Sequence, residues 1–207
     1  MSLMFLKDSK KFFPTYIIII LNIAVYAYTS MLSGDFIEIN YHVIEQLGQV
    51  NDLVLKGWFW QLFTAMFVHV NIVHLLGNMF FLLIFGLRAE EIFNLQEYLS
   101  IYLFSGLAGN LLSLLFGPLA RPSAGASGAL FGLFGAVTIY VRRTIGQSII
   151  GALLYSFFLL MISSGLNVNY LAHLGGLVIG LLFGYMLATK RKPKATHEFV
   201  YTYSTRT

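Results

Sequence analysis

The sequence predicts an all-α polytopic membrane protein with six transmembrane helices. Of its 207 residues, 57% are hydrophobic and only 11% charged, with a mean hydropathy of +0.75, whereas a soluble domain carries about 25% charged residues. Uncharged runs recur at the length that crosses a bilayer as helix, about 20 residues. The basic residues gather at the ends of those runs, so the net charge of +4 reads as membrane orientation and not as affinity for nucleic acid. The length suits one compact membrane domain with no sizeable soluble module. The chain has no cysteine, which removes disulfides and thiolate metal sites and leaves the redox compartment unread.

Residues 1–11 lack a small-residue cleavage site behind their apolar run, so Phe12–Met31 is read as a retained first span extending to Gly34 and not as a removed signal peptide. A polar segment with five charges, Asp35 to Lys56, follows. Gly57 to Leu87 is uncharged and too long for one ordinary span. Its aromatic-rich part, Trp58 to His69, is expected along the interface, leaving Val70–Leu87 as span two. Span three covers Tyr98–Phe116 and stops at Gly117-Pro118, and span four covers Ala124–Val141. Ile145 to Thr189 carries no formal charge and holds spans five and six, divided by the polar run Ser163 to Asn169. The resulting organisation is a cytoplasmic segment 1–11, a six-helix membrane domain 12–189 and a basic cytoplasmic tail 190–207.

Orientation follows from Lys7, Lys10 and Lys11 before span one, Arg142 and Arg143 between spans four and five, and Lys190-Arg191-Lys192 with Lys194 after span six. Six spans put all three clusters on one side, which the positive-inside rule makes cytoplasmic, with both termini there and the chain expected in the cell membrane. Arg121 alone opposes this. Spans two, four and six then all start in the outer leaflet. His74 and Asn78 open span two, Ser127 opens span four and His173 opens span six, so three polar clusters distant in sequence come to similar depth.

Each cluster has a plain reading beside a chemical one. Serine in a membrane helix commonly packs or bonds back to its own backbone. Gly125, Gly128, Gly132 and Gly135 recur at helical spacing, as do Gly176, Gly180 and Gly184, and two such faces let helices approach closely. Packing would then bring Ser127 to His173. A histidine inside a span is costly and usually faces a cavity or carries function, and a neutral imidazole beside a serine hydroxyl can take its proton during attack on a carbonyl. No acidic residue lies near either partner in these spans, so a dyad without a carboxylate is expected. His74 and Asn78, four apart, share a helical face and read either as an inter-helix polar clamp or as donors to a developing oxyanion. No His-Glu-x-x-His pattern and no acidic ligand accompany His69, His74 and His173, so no metal or other cofactor is expected.

At these residues the chain resembles the rhomboid family of intramembrane serine proteases, with a six-helix bundle implied, from about Trp60 to Gly184. The motifs stand in order: His69-x4-His74-x3-Asn78, Gly86-x3-Glu90, Gly125-x-Ser127-Gly128, and Ala172-His173-x-Gly175-Gly176 continuing to Gly180. The resemblance implies Ser127 as nucleophile, His173 as general base, and an oxyanion hole from the Ser127 amide with the His74 and Asn78 side chains. It implies His69 as a structural residue near the water-accessible mouth, Glu90 as a packing partner near the cytoplasmic end of span two, and 35–60 as a lateral, partly embedded loop. Substrates would be transmembrane segments of other membrane proteins, cut near the outer face. Two departures stand out. Trp60-Gln61 replaces the Trp-Arg of many members, which questions an Arg-mediated loop network, and Phe131 stands where some members carry Tyr, keeping a ring to pack on His173 without its hydroxyl. Other classes are a catalytically inactive rhomboid-like binder of membrane clients and a small transporter, against which the lack of an internal repeat speaks. The sequence specifies no oligomeric state.

Overall fold

The computed structural model describes residues 13–146, 151, 154, 155, 158 and 168–191. Helix α1 (Pro14–Ser33) starts with proline at its first position, where the missing N–H would lack a helical partner in any case, and stops at Gly34 in the left-handed conformation. Two short helices, α2 (Tyr41–Leu47) and α3 (Asn51–Leu55), occupy the polar segment, and α4 (Gln61–Thr64) makes a single turn in the aromatic stretch. Helix α5 (Ile72–Ile92) opens at Asn71, whose side chain accepts the His74 amide N–H at 2.8 Å, and runs beyond the expected end at Leu87 through Arg88, which pairs with Glu91. Helix α6 (Leu95–Phe116) opens on a capping box between Asn94 and Glu97. Helices α7 (Ser127–Ile145) and α8 (Tyr170–Lys190) complete the described set. Among the described residues there is no strand, only isolated bridges between Glu38 and Asn71 and between Gln49 and Ser123.

Helices α1, α5, α6 and α8 are each long and apolar enough to cross a membrane. Helix α7 has spanning length, 19 residues or about 28 Å, but is the least apolar of the long helices because Arg142 and Arg143 occupy its last turn and glycines its first half. The expected fifth span lies outside the described residues apart from Gly151, Leu154, Tyr155 and Phe158, where the Tyr155 ring packs on Phe85 of α5 and Phe134 of α7.

Helix α7 is the hub. Residues 128–137 are buried without interruption, enclosed by α5, α6 and α8, while α1 packs against α5. The contact between α7 and α8 is backbone against backbone: a Cβ on Gly176 would overlap the Gly128 carbonyl, one on Gly180 the Gly132 carbonyl and one on Gly184 the Ala136 carbonyl. On its other side, Gly175 faces Gly109 of α6 so closely that a Cβ would stand 2.8 Å from the Gly109 Cα. Small residues permit this approach, which dispersion contacts then reward. Gly125, expected on the same face as Gly128, instead precedes the helix at φ +133°.

Away from the hub, Gly86 and Glu90 act together. Glu90 accepts the Thr15 amide N–H at 2.7 Å, capping α1 from another helix, and the Thr15 hydroxyl lies 3.0 Å from the Tyr98 hydroxyl. A Cβ on Gly86 would press on both hydroxyls. A carboxylate there also meets the positive end of the α1 dipole. At the C-terminal end of α8, Arg191 pairs with Glu97 and donates to the Ile92 carbonyl at 2.6 Å.

Gly176→Val or Gly180→Val should therefore lower the unfolding temperature in detergent, with an overpacking cost of about 1–3 kcal/mol or more. Gly77→Ala, where no atom lies within 4 Å of the added Cβ, should be neutral or stabilising by up to about 1 kcal/mol. Equal tolerance of all three substitutions would refute close backbone packing as the role of the α8 glycines.

Candidate active site

Three anchors shape the segment leading into α7. Ser123 exchanges both backbone hydrogen bonds with Gln49, at 2.7 and 2.8 Å, and the Gly125 N–H donates to the Ala65 carbonyl at 2.8 Å. The positive φ of Gly125 then turns the chain so that Ser127 becomes the first residue of α7. A side chain on Gly125 would be strained by that φ and would also strike the His74 ring, 2.7 Å from Cε1 and 2.9 Å from Nε2. One glycine thus makes the turn and leaves room between His74 and the serine.

Helix α8 begins at Asn169, whose Oδ1 accepts the Ala172 amide N–H at 3.1 Å, and His173 follows one turn later. The His173 Nε2 and the Ser127 Oγ lie 2.7 Å apart. His173 is 3% exposed. Phe131, one turn below Ser127, packs its ring on the imidazole at 4.6 Å between centroids with planes 31° apart. The His173 Nδ1 is buried without a hydrogen-bond partner among the described residues.

His74 and Asn78 lie one turn apart on α5, and the Asn78 Nδ2 donates to the His74 carbonyl at 2.8 Å. One amide hydrogen of Asn78 is therefore committed to its own helix, and the second is free of that bond. His69 packs its ring edge-on against His74 at 5.1 Å. It is fully enclosed and so does not itself open onto a water-accessible mouth; neither ring nitrogen makes a well-aligned hydrogen bond among the described residues, although the Phe67 backbone is close enough to interact. Burial, with the neighbouring His74 ring second, pushes the His69 imidazole down from 6.5 to about 3. Among the described residues no group of three His, Asp or Glu side chains is arranged to hold a metal ion.

Thus Ser127, His173, Phe131, Gly125 and His74 converge, with Gly128 supplying the packing face beneath, Asn78 one turn along and His69 behind. Sequence reasoning noted Gln61 only as a departure and passed over the other residues that brace them, Gln49, Asn51, Asn110 and Ser113. Gln61, fully buried, accepts the Val50 N–H at 2.9 Å and donates to the Glu45 carbonyl at 2.6 Å, so its amide spans the loop at the position where the departure had put an arginine network in question. Gln49 donates to the Asn51 Oδ1 and the Asn110 carbonyl, and Asn51 donates to the Ser113 carbonyl. Asn110 and Ser113, three apart on apolar α6, were the visible signal.

Residues 56–190 match the family model described as Rhomboid domain. The chain belongs to the rhomboid family. It is 36% identical over 171 residues to RHOMBOID-like protein 6, mitochondrial, of Arabidopsis thaliana, covering 78% of this chain and 55% of that protein. It is 36% identical over 154 residues to Rhomboid protease GluP of Bacillus subtilis, covering 70% of this chain and 29% of that one. Putative rhomboid protease YdcA of the same organism is 33% identical over 146 residues, with 67% and 72% covered. The chain therefore spans about half or less of the length of several relatives. Family membership and the apolar helices make this rhomboid an integral membrane protein.

Below its ordinary value of 6.5, and down to about 3, the enclosed His69 stays neutral while the unfolded chain takes up a proton. Stability should fall through that interval as pH is lowered and be insensitive to this residue above it. Unfolding measured against pH should show a shallower acid-side loss in His69→Gln than in the parent; identical slopes would mean that His69 is protonated in the fold.

Proposed function

We propose that this chain is an intramembrane serine endopeptidase in which Ser127 is the nucleophile and His173 the general base. The single observation that carries the reading is the 2.7 Å separation of the Ser127 Oγ and the His173 Nε2 in an enclosed site. A neutral imidazole protonated on Nδ1 accepts the hydroxyl proton as Oγ attacks the substrate carbonyl carbon. The C–N bond then breaks as Nε2 returns that proton to the leaving amine. Water, deprotonated by the same nitrogen, cleaves the acyl-serine and restores the hydroxyl. The carbonyl oxygen becomes an anion in each half-reaction. The Ser127 N–H lies at the start of α7, where amide hydrogens lack helical partners and the dipole favours negative charge. His74 and the second Asn78 amide hydrogen complete the donor set. The Phe131 ring packs on one face of the imidazole and restrains its orientation, where an acidic partner would act in a triad.

Substrates on this reading are transmembrane segments of other proteins, cut near the outer face. A peptide bond within regular helix is shielded by its own hydrogen bonds, so Gly, Pro or Ser near the cut lowers the cost of unwinding. Residues 12–189 form the membrane domain between cytoplasmic segments 1–11 and 190–207, an orientation supported by the basic clusters.

Cleavage of a reconstituted single-span substrate should be abolished by Ser127→Ala and by His173→Ala with folded protein retained, and the double variant should be no worse than either single one. Retained cleavage in Ser127→Ala would sink the serine mechanism. Asn78→Ala should slow turnover by about 100-fold or less, because other donors persist; an unchanged rate would assign Asn78 to packing alone.

The absence of cysteine permits single-cysteine mapping of the orientation. Ala120→Cys, in the exposed α6–α7 connection, should react in intact cells with a membrane-impermeant thiol reagent, and Thr144→Cys, beside Arg142 and Arg143, only after the membrane is opened. Reversed labelling would place the site at the cytoplasmic face.

A further inference from the structure

The segments carrying Ser127 and His173 are hydrogen-bonded twice. Besides the bond between those two residues, the Asn169 Nδ2 donates to the Ser123 Oγ at 2.9 Å. Both pairs are separated by 46 residues in sequence, so the second rung stands four residues upstream of the first on both strands of chain at once. The same Nδ2 donates to the Ser113 Oγ of α6 at 2.6 Å, while the Asn169 Oδ1 caps α8 through the Ala172 N–H. Both hydrogens of this amide and one lone pair of its oxygen are therefore spent on joining three elements: the start of the histidine helix, the loop before the serine, and α6.

We propose that Asn169 is a positioning residue for the Ser127–His173 pair, with Ser123 as its counterpart on the serine side. The inference rests on the proteolytic reading above. A single hydrogen bond between two segments fixes a distance but leaves rotation and axial slip between them. A second bond one turn away removes both freedoms. The need is specific to this site, because among the described residues the imidazole has no partner on Nδ1 to orient it. In a triad that partner sets tautomer and ring direction. Here the direction of the His173 ring follows from the placement of the first turn of α8 and from the Phe131 face, and Asn169 sets that first turn. Ser123 is held independently by its two backbone bonds to Gln49, so the serine side of the rung is a fixed reference and not another mobile group.

The two functions of the Asn169 amide are separable. Ser123→Ala removes the rung and leaves the helix cap intact. Asn169→Ser keeps a capping oxygen but is too short to reach Ser123. In full-length protein reconstituted with a single-span substrate, each change should lower kcat by about 10- to 100-fold, as small misplacements of reacting groups do. KM and the unfolding temperature should stay close to those of the parent. The rate of labelling by a fluorophosphonate probe should fall in step with kcat, and the double variant should be no slower than the worse single one. Ser123→Thr, which retains the hydroxyl, should recover most of the rate. Unchanged kcat in Ser123→Ala, multiplicative losses in the double variant, or activity that merely tracks a falling unfolding temperature would overturn the positioning role while leaving the protease reading intact. A parent protein that neither cleaves the substrate nor takes the probe would instead overturn the protease reading, and the positioning role with it.

Discussion

Carbonyl oxygens of α7 face glycine α-carbons of α8 along three successive turns, at Gly176, Gly180 and Gly184, with no space for even a methyl group. Within a bilayer the lipid tails are as apolar as any side chain, so burial alone does not drive helices together and the association depends on fit. The distance between Ser127 and His173 is a by-product of that fit, since each residue stands near the start of one of the two helices. Any side chain in the seam would separate the helices and the pair together. Helix packing and the Ser127–His173 distance therefore share one set of glycines.

A second demand comes from the chain that is not helical. The segments between α1 and α5 and between α6 and α7 carry peptide groups that need partners wherever water is scarce. They find them in one another and in a few amides. Gln61 holds both sides of the α2–α3 loop, Gln49 pairs with the segment before Ser127, and Asn51 and Asn110 attach those loops to α6. Glu90 extends the same economy to the N-terminus of α1. Each of these side chains sits where an unmade hydrogen bond would cost about 1–3 kcal/mol. The loop before Ser127 inherits its shape from this scaffold.

Much of this was legible in the chain. Uncharged runs located α1, α5, α6 and α8 because lipid tolerates few charges, and the glycine spacing on span six anticipated its seam with span four. The convergence of Ser127, His173 and His74 was readable from span parity, since alternate spans share a direction. Element ends were less legible: α5 runs on past Leu87 because Arg88 and Glu91 satisfy each other in the last turns. Gly125 was assigned to a helix face by spacing alone, although its backbone makes a turn that spacing cannot reveal. The bracing amides were hidden for a different reason. Gln49 sits in a loop and Gln61 opens the single turn of α4, where polar residues are ordinary, and only the tertiary fold shows that they are enclosed. The same holds for Asn169, which looks like any helix cap until its amide hydrogens are traced.

The burial of α7 has a consequence for how the protein is made. Its glycines and its paired arginines leave it less apolar than the other long helices, and residues 128–137 are buried without interruption. A segment of that kind gains little from entering lipid alone, and its stability in the bilayer comes from helices already there or arriving with it. The synthesis order supplies α1, α5 and α6 before α7, and α8 after it. The serine helix thus waits in a partly built bundle until the histidine helix closes against it, and only then does Ser127 meet His173.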